Sequence, residues 1–327
     1  MKVVNMAIRR ALVLSKRSAL DVYTNLHRDP QIMSLIQANH PVVGNLVDRH
    51  KTHVETVKFC EDVLRRKPLE WKTVVGDELE APISDIDLVI TIGGDGTILR
   101  ASHYVDNSAS IFGVNSDPSR ITEIKENSES FDARRSTGYM CAATAESFEE
   151  VLDEILEGKR KPVQLSRILT CIDGVQSHTL ALNDVLLAQP CPAAVSSCSF
   201  RIRKGDSYDS HFHPVHSRSS GLRVCTAAGS TAAMRSAGGC PMPILSRDLQ
   251  YMVREPILLP EHSKVMHGWI KTDEVMHIVW GCREGFIYID GCHVYLPLKY
   301  GNTVQISSKC PPLQVYMHPS RLQHVTN

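Results

Sequence analysis

The segment of this chain that most clearly suggests a chemical function consists of small residues around a single acid. Its members are Gly93, Gly94, Asp95, Gly96 and Thr97. An apolar, β-branched run at residues 87–92 precedes them, and residues 98–104 follow with a helical pattern. Glycines at such a junction let backbone N–H groups approach an anion, and the start of a helix adds a favourable field. The segment therefore predicts a phosphate site at the carboxyl end of a parallel strand.

Asp95 is the residue of this loop that phosphate binding does not explain, because its carboxylate repels an anion. Two roles suit an acid beside phosphates: accepting the proton of a nucleophilic hydroxyl, and contacting a phosphate-bound Mg²⁺. An aspartate can also act only as a turn residue or helix cap. The strand–loop–helix context favours a chemical role for Asp95.

Asn183 and Asp184 place an amide beside an acid within a β-type run, residues 179–187. Adjacent strand residues face opposite ways, so one of the two side chains is expected to point inward. A vicinal ribose diol, which both donates and accepts hydrogen bonds, suits such a pair. Asn-Asp is also a common turn sequence, so the pair alone leaves both readings open.

Residues 226–232 resemble a second strand–loop–helix junction, rich in hydroxyls and small side chains. Its candidate ligand-binding residues are Thr226, Gly229, Ser230 and Thr231. We expect this junction to line a nucleotide pocket, with Ser230 as the cap of a helix over residues 230–236. Gly238 and Gly239 follow at the end of that helix, where glycine commonly serves as a C-cap.

Two common nucleotide motifs are missing from the sequence. It contains no Gly-x-x-x-x-Gly-Lys-Ser/Thr and no Gly-x-Gly-x-x-Gly after a strand. P-loop chemistry and ordinary dehydrogenase chemistry are therefore disfavoured.

The elements that position these residues change in character near residue 160. Before that point, strand, glycine turn, helix and strand alternate, which predicts a doubly wound, mostly parallel α/β sheet. After it, residues 164–317 are mainly short β-rich runs. We therefore predict an α/β domain at residues 1–160 and a mainly-β domain at residues 161–327, with the last residues able to pack back on the first domain.

Local signals give three further predictions. A helix is expected at residues 147–157, with Ser147 and Glu150 as a capping box and Gly158 as its stop. Asp290 and Gly291 predict a hairpin turn. The predicted strands are residues 11–14, 87–92, 110–114, 165–172, 179–187, 199–202, 222–225, 275–280, 286–289, 293–296 and 303–306.

The overall composition disfavours some classes of partner and indicates the type of compartment. The 36 basic and 36 acidic side chains cancel, which disfavours a nucleic-acid binder. Ten cysteines without a Cys-x-x-Cys pair indicate reduced thiols rather than a disulfide scaffold or zinc knuckle. No run reaches the ~20 apolar residues that cross a bilayer. We predict a cytoplasmic protein without a membrane partner, and the basic first twenty residues leave an organelle transit peptide as the alternative.

Taken together, the four motifs resemble the NAD kinase family over most of the chain. The segment 93–97 is similar to its signature loop, Asn183 with Asp184 to its Asn-acid pair, and residues 226–232 to its Thr-x-x-Gly-Ser-Thr-Ala segment. Residues 236–239 are similar to the glycine pair that follows. Within the family, residues 113–118, 189–194 and 246–250 look most like the plant NADH kinase branch.

The resemblance implies a homodimeric kinase that uses ATP with Mg²⁺, carried by the ATP rather than by a metal site of the protein. It implies phosphorylation of the adenosine-ribose 2′-hydroxyl of NADH and NAD⁺, with a preference for the reduced form. By analogy, Asp95 is the base at that hydroxyl, Asn183 and Asp184 bind the dinucleotide, and the second domain contributes to the dinucleotide site. The other glycine-loop and junction residues are nucleotide-binding in the same way.

The sequence departs from the family pattern at three places. Ser220 stands where most members carry an acid, Ala233 stands where they carry a tyrosine, and residues 116–120 replace a glycine- and phenylalanine-containing stretch. Losing an acid and an aromatic side chain is expected to alter the pocket for base and ribose.

Two alternative functions remain at this level. One is a lipid kinase of the diacylglycerol or sphingosine type, which shares the glycine loop and a β-rich second domain. The other is a non-catalytic dinucleotide sensor, suggested by the missing acid at Ser220. His211, His213 and His216 have a spacing that could bind a metal, but they lie in a polar stretch that predicts a solvated hairpin tip.

Overall fold

The computed structural model describes residues 8–118, 138–204, 214–257 and 265–322. The chain divides into two compact units. The first contains Met1–Val163 and Gln314–Arg321, and the second contains Gln164–Leu313 and Leu322–Asn327. A short return of the chain near its end therefore belongs to the first unit.

The first unit is built on a parallel sheet, as the α/β pattern predicted. Its strands run in the order β2-β1-β3-β4-β19-β6, and β5 pairs with β4. The pairs β1–β2, β1–β3, β3–β4, β4–β5 and β4–β19 are all parallel. The strands are β1 (Arg10–Ser15), β2 (Glu70–Val75), β3 (Leu88–Gly93), β4 (Ser110–Asn115), β5 (Ala143–Thr144), β6 (Val163–Leu165) and β19 (Leu313–Tyr316).

Helices cover this sheet because its central strands are apolar on both faces. All six residues of β3 are buried, which matches the continuous apolar run of the sequence. The helices are α1 (Ala19–Asp21), α2 (Pro30–Gln37), α3 (Pro41–Leu64), α4 (Asp95–Ser102) and α5 (Phe148–Leu156), and a π-helical turn, Val22–Leu26, follows α1. Cys60, Val63 and Leu64 of α3 and Phe148 and Leu152 of α5 join the core of the sheet.

The predicted helix at residues 147–157 is present, but its predicted capping box is wrong. The Ser147 hydroxyl accepts the N–H of Thr144 at 3.2 Å and makes no hydrogen bond to the first turn of α5. The backbone of Ser147 has ψ near 1°, so the side chain points back along the chain rather than over the helix. Gly158, at φ +70°, ends the helix as predicted.

The second unit contains two six-stranded sheets, with the orders β11-β10-β15-β18-β7-β8 and β14-β13-β12-β9-β16-β17. Neighbouring strands are antiparallel throughout both sheets. The strands are β7 (Leu169–Ile172), β8 (Val175–Gln176), β9 (Asp184–Ala188), β10 (Ser196–Lys204), β11 (Val215–Ser219), β12 (Leu222–Cys225), β13 (Leu249–Val253), β14 (His267–Ile270), β15 (Glu274–Trp280), β16 (Glu284–Ile289), β17 (Val294–Lys299) and β18 (Thr303–Ser307).

Side chains from both sheets share one apolar core. Phe200, Ile278 and Trp280 come from the first sheet, and Val185 and Ile287 come from the second. Each strand contributes alternate residues, so the opposite face of each sheet points away from this core. The predicted hairpin turn is present between β16 and β17, where Asp290 and Gly291 have φ of +51° and +119°.

Several predicted boundaries are wrong in the second unit. The run 165–172 is divided between β6 and β7, and the run 179–187 starts as a strand only at Asp184. The helix expected over residues 230–236 is a 3-10 turn, Gly229–Thr231, followed by one helical turn, α6 (Ala233–Ser236). Ala232, not Ser230, precedes α6, because the Ser230 hydroxyl is engaged elsewhere. Within the described parts of the chain, every helix is too short or too polar to cross a bilayer.

Candidate functional site

The glycine loop joins β3 directly to α4, as the sequence predicted. β3 ends at Gly93, Gly94 is the N-cap residue, and α4 begins at Asp95. A Cβ on Gly93 would overlap the hydroxyl of Thr97, which is buried beneath the loop, so no side chain fits there. A Cβ on Gly96 would meet nothing within 4 Å. The loop is therefore packed tightly below Gly93 and open above Gly96.

Asp95 stands in the first turn of α4 with its carboxylate fixed by two backbone donors. Oδ2 accepts the N–H of Tyr139 at 2.9 Å, and Oδ1 accepts the N–H of Met140 at 2.8 Å. Burial raises the pKa of this carboxyl, while the two N–H groups and the charge of Arg321 oppose the rise. Each oxygen keeps a second lone pair, so the group can still accept a proton or contact a cation.

Arg321 returns to this site near the end of the chain. Its guanidinium lies 4.6 Å from the centre of the Tyr139 ring, next to one of the residues that hold Asp95. No local pattern predicts this contact, because almost two hundred positions separate the two residues.

A polar network lies where β1 and β4 end beside the loop. The ring of buried His53, on α3, contacts the Lys16 carbonyl through Nε2 at 2.9 Å and the Ser116 hydroxyl through Nδ1 at 2.8 Å. A carbonyl can only accept, so Nε2 carries the proton and Nδ1 accepts from Ser116. Burial and the charge of Lys16 lower the pKa of His53 to about 4, which keeps the ring neutral.

A charged pair completes the same edge of the sheet. Nε of Arg49 lies 2.7 Å from Oδ2 of Asp117, which is only 1% exposed. Burial lowers the pKa of the neighbouring Lys16 ammonium, with Asp117 opposing and Arg49 adding to that effect. The Ser116 N–H also binds the Gly93 carbonyl at 2.9 Å, which ties this edge to the glycine loop.

The sequence motifs did not reveal Lys16, Arg49, His53 or Asp117. Arg49 and His53 are four residues apart on α3, so they share a helix face, and this spacing was the available signal. Their partners Ser116 and Asp117 lie more than sixty positions away. Only the parallel order of the strands brings them together.

In the second unit, Asn183 lies just before β9, and its backbone is held from two sides. Thr226 donates its hydroxyl to the Leu182 carbonyl at 2.5 Å, and its N–H binds the Asn183 carbonyl at 2.9 Å. A Cβ on Gly229 would overlap that same carbonyl. Thr226 and Gly229 therefore act on the backbone of Asn183, which explains why these residue types stand there.

Asp290 is a further residue of this site that its turn sequence did not reveal. Its carboxylate accepts three consecutive backbone N–H groups, from Leu182 at 2.8 Å, Asn183 at 2.7 Å and Asp184 at 2.9 Å. The hairpin turn thus fixes the segment that presents the Asn-acid pair.

Asp184 forms an ion pair with Arg223 of the adjacent β12, and both side chains are 13% exposed. Burial raises the pKa of Asp184, and the Arg223 charge opposes the rise while the Asp290 charge adds to it. Oδ1 of Asn183 and Nε of Arg223 are buried without a hydrogen-bond partner in the described structure. Such atoms are costly unless a ligand or water satisfies them.

The remaining predicted residues have structural contacts of their own. The Ser230 hydroxyl donates to the Ala227 carbonyl at 2.7 Å and accepts the Met242 N–H at 2.9 Å. Thr231 binds the Ala228 carbonyl at 3.4 Å. Gly238, at φ +97°, ends α6 as a C-cap, and a Cβ on Gly239 would overlap Gln250 and Met234.

The structure thus brings the predicted residues together in two groups, one in each unit. Gly93, Gly94, Asp95, Gly96 and Thr97 form the first group; Asn183, Asp184, Thr226 and Gly229 form the second, with Ser230, Thr231, Gly238 and Gly239 in the turn and helix end that follow. Among the described residues no three His, Cys, Asp or Glu side chains are placed to hold a metal ion. His211 and His213 lie outside the described residues, and His216 is on β11.

Comparison with known proteins agrees with these motifs. Residues 3–117 match the family model described as the ATP-NAD kinase N-terminal domain. The NADH kinase of Arabidopsis thaliana is 50% identical over 95% of this chain and 96% of its own. The chain belongs to the NAD kinase family. A second relative in this family, named "Probable NADH kinase" from Oryza sativa subsp. japonica, is 46% identical over 97% of this chain and 99% of its own.

Solved structures of NAD kinase family members share the fold. The NAD kinase of Archaeoglobus fulgidus in complex with ATP has a TM-score of 0.65 and 18% identity, over 97% of this chain and 96% of its own. The yeast NADH kinase complexed with NADH has a TM-score of 0.65 and 14% identity, over 98% of this chain and 88% of its own. At these identities the likeness establishes the fold alone.

Proposed function

We propose that this protein is a kinase that transfers the terminal phosphoryl group of ATP to the adenosine-ribose 2′-hydroxyl of NADH and NAD⁺. Its membership of the NAD kinase family and its two plant relatives named NADH kinase support this reaction. The same relatives disfavour a lipid kinase. A preference for the reduced dinucleotide is the finer part of the proposal.

One observation carries the chemical assignment: the Asp95 carboxylate is fixed by two backbone N–H groups at the start of a helix. A fixed carboxylate is preorganised to accept the proton of the attacking 2′-hydroxyl. Burial raises its pKa, which makes it a stronger base than an ordinary aspartate while it is ionised. Phosphoryl transfer otherwise requires mainly positioning and charge stabilisation.

We assign the phosphates of ATP to the open side of the glycine loop, where Gly96 leaves space and the N–H groups of α4 begin. Mg²⁺ bound to those phosphates would neutralise their charge. Asp95 is the acid of this loop and could contact the ion, and we propose that the metal arrives with ATP.

We assign the dinucleotide to the second group of residues. The buried Oδ1 of Asn183 lacks a partner in the described structure, and Oδ1 of Asp184 is not the oxygen that Arg223 engages. Both oxygens are acceptors suited to the hydroxyls of a ribose. Thr226, Gly229 and Asp290 would hold this pair in position.

Assembly and compartment complete the proposal. We propose a homodimer, on the family resemblance. We propose a cytoplasmic location, because all ten cysteines are free thiols, which is typical of a reducing compartment.

The deciding experiment incubates the purified protein with Mg-ATP and either NADH or NAD⁺ and quantifies NADPH and NADP⁺ directly. We expect both products, with faster formation of NADPH. Omitting Mg²⁺ should abolish both, and light scattering of the same sample should give twice the mass of the chain. Tight NADH binding without ATP consumption would instead favour the sensor, and product from lipid vesicles alone would favour the lipid kinase.

A further inference from the structure

The outward face of the sheet β11-β10-β15 is basic. Alternate residues of these strands point away from the core, and the charged or ionisable ones among them are Arg201, Arg203, Arg218, His216 and His277. None of the outward positions on these three strands carries an acid. Burial lowers the pKa of His277, and the charges of Arg203 and Arg201 lower it further.

An open pocket of about 550 Å³ lies at one end of this face. Strands β10 and β11 form its floor, on which Ser197 lies opposite Arg218 and Ser199 lies opposite His216. Directly opposite residues of an antiparallel pair have Cβ atoms about 4.5–5.5 Å apart. Two hydroxyls, an imidazole and a guanidinium are thus gathered within the span of one phosphate and its substituent.

These four side chains do not stabilise the fold through polar contacts. In the described structure, the hydroxyls of Ser197 and Ser199, the ring of His216 and the guanidinium of Arg218 make no side-chain hydrogen bond or ion pair. Two other arginines of this unit have acidic partners: Arg223 pairs with Asp184, and Arg254 lies 3.9 Å from Glu255.

The walls of the pocket are apolar and aromatic. Val279 of β15, Ile257 and Tyr300 line it, and Tyr300 is 76% exposed although it is a large ring. Gly281 leaves the floor open beside Ser197, because its N–H binds the Ser197 carbonyl at 2.8 Å without a side chain above it. An open groove with one polar floor and an apolar wall fits a ligand that has one charged end and one flat end.

We infer that this pocket binds a small phosphate monoester with a planar, apolar substituent. The phosphate would accept hydrogen bonds from Arg218, His216 and the two serines, and the flat group would lie against Tyr300 and Val279. Arginine suits this role because its planar fork bonds two phosphate oxygens at once.

This site is separate from the proposed dinucleotide residues. Asn183, Asp184 and Thr226 belong to the other sheet or its loops, and the apolar core of the unit lies between the two sheets. A ligand on the outward face of β10 and β11 therefore contacts a different sheet from the one that carries these three residues, and Arg218 lies two positions before Ser220, where most members of the family carry an acid.

Calorimetric titration of the full chain at low salt tests the assignment with three probes: phenyl phosphate, inorganic phosphate and phenol. We expect phenyl phosphate to bind with a Kd below about 1 mM and each of the other two to bind at least ~10-fold more weakly, because each lacks one half of the recognised group. Arg218→Gln should weaken phenyl phosphate at least ~10-fold through the loss of a charge-assisted pair.

Two further variants complete the experiment, one that fills the pocket and one that serves as a charge control. Ser199→Tyr fills the pocket with a side chain that a strand accommodates, and it should abolish phenyl phosphate binding. Arg9→Gln removes the same charge from an exposed position in the first unit and should leave binding unchanged. Circular dichroism checks that each variant is folded. Equal affinity in wild type, Arg218→Gln and Ser199→Tyr would overturn the site, and equal affinity for phenyl and inorganic phosphate would overturn the ligand class.

Discussion

Both oxygens of the Asp95 carboxylate accept a backbone N–H, so the side chain cannot rotate without losing a hydrogen bond. Burial destabilises the ionised form of the Asp95 carboxylate, and the two N–H donors and the charge of Arg321 stabilise it. The two donors therefore fix the carboxylate at the start of a helix, and burial keeps its pKa above that of an ordinary aspartate. This balance is the property that a base for an alcohol needs, and it makes two predictions at the level of single residues.

The first prediction concerns Asp95→Asn. Turnover should fall at least ~10²-fold, because an amide cannot take the proton of the ribose hydroxyl. The amide NH₂ would also face one of the two N–H donors, so the melting temperature should fall by a few degrees. The matched control is Asp173→Asn, a carboxylate that accepts the Thr303 N–H at 2.7 Å on the other unit and should keep full activity. Wild-type turnover in Asp95→Asn would remove this residue from the mechanism.

The second prediction concerns pH. A base acts only when deprotonated, so the acidic limb of kcat against pH should lie above the ordinary range of an aspartate. The charge of Arg321 holds the pKa of Asp95 down. Arg321→Gln removes that charge, raises the pKa further and should shift the limb to still higher pH, whereas Arg321→Lys should leave it in place. An identical limb in all three proteins would show that the titrating group is not Asp95.

At the residue scale, the sequence shows a signal only where the residues concerned are contiguous. Asp95 stood out because its neighbours on both sides are small. Arg49, His53 and Asp290 escaped because each acts on residues more than sixty positions away, and such pairs are set by strand order rather than by local pattern. The assigned roles of the site residues stay predictions.

At the scale of elements, Gly93 and Gly96 of the glycine loop have different surroundings. Gly93 leaves room for Thr97, whereas Gly96 borders open space. Gly93→Ala should lower the free energy of unfolding by about 1–3 kcal/mol, because the new Cβ would overlap Thr97. Gly96→Ala should leave stability unchanged or raise it by about 0.5–1 kcal/mol, because its Cβ meets open space in the first turn of a helix. Urea denaturation of both variants measures the difference.

Kinetics of the same pair tests the phosphate assignment. If the triphosphate lies on the open side of the loop, Gly96→Ala should raise the KM for ATP although the protein stays stable. An unchanged KM for ATP in Gly96→Ala would place the phosphates elsewhere.

The β16–β17 hairpin offers another prediction for an element. Asp290→Ala leaves the N–H groups of Leu182, Asn183 and Asp184 without their acceptor, and it should cost about 2–4 kcal/mol. The KM for the dinucleotide should rise, and the KM for ATP should not. Asp248→Ala is the control, since its carboxylate also accepts a backbone N–H, from Thr272, but at another turn. Equal effects of both variants on the dinucleotide KM would contradict a special role for Asp290.

Elements were predicted best where one physical requirement dominates. β3 is buried on both faces and needs an unbroken apolar run, and its sequence shows one. The capping box at Ser147 and the helix cap at Ser230 failed because a hydroxyl has several possible partners within reach. In both cases the hydroxyl forms its hydrogen bond with a nearby backbone group in a turn instead, the N–H of Thr144 or the carbonyl of Ala227.

At the scale of the whole molecule, the α/β and mainly-β pattern was readable because periodicity changes once along the chain. The last residues were expected to be able to pack back on the first domain, but the strand β19 and its place beside β4 were not predicted, since Leu313–Tyr316 is a short apolar run like many others. The predicted domains at residues 1–160 and 161–327 stay a prediction about independent folding. Sequence patterns describe local periodicity, and neighbours in a sheet are decided by packing.

The cysteines give a prediction for the molecule as a whole. Cys191, Cys240 and Cys292 are exposed, whereas Cys60, Cys198 and Cys225 are buried, and burial raises the pKa of each of these three to about 12. The thiolate is the reactive form, so the buried groups should react about 10³-fold more slowly near neutral pH.

A disulfide reagent added to the native protein should therefore titrate about three thiols quickly, and all ten after unfolding. Cys191→Ser should remove one thiol from the fast phase, and Cys60→Ser should leave that phase unchanged. Kinase activity should survive the fast phase unless Cys240 or Cys292 touches a substrate, which the single serine variants would reveal. Fewer than ten thiols in the unfolded, unreduced protein would mean that some are paired, and the argument for a reducing compartment would fail with them.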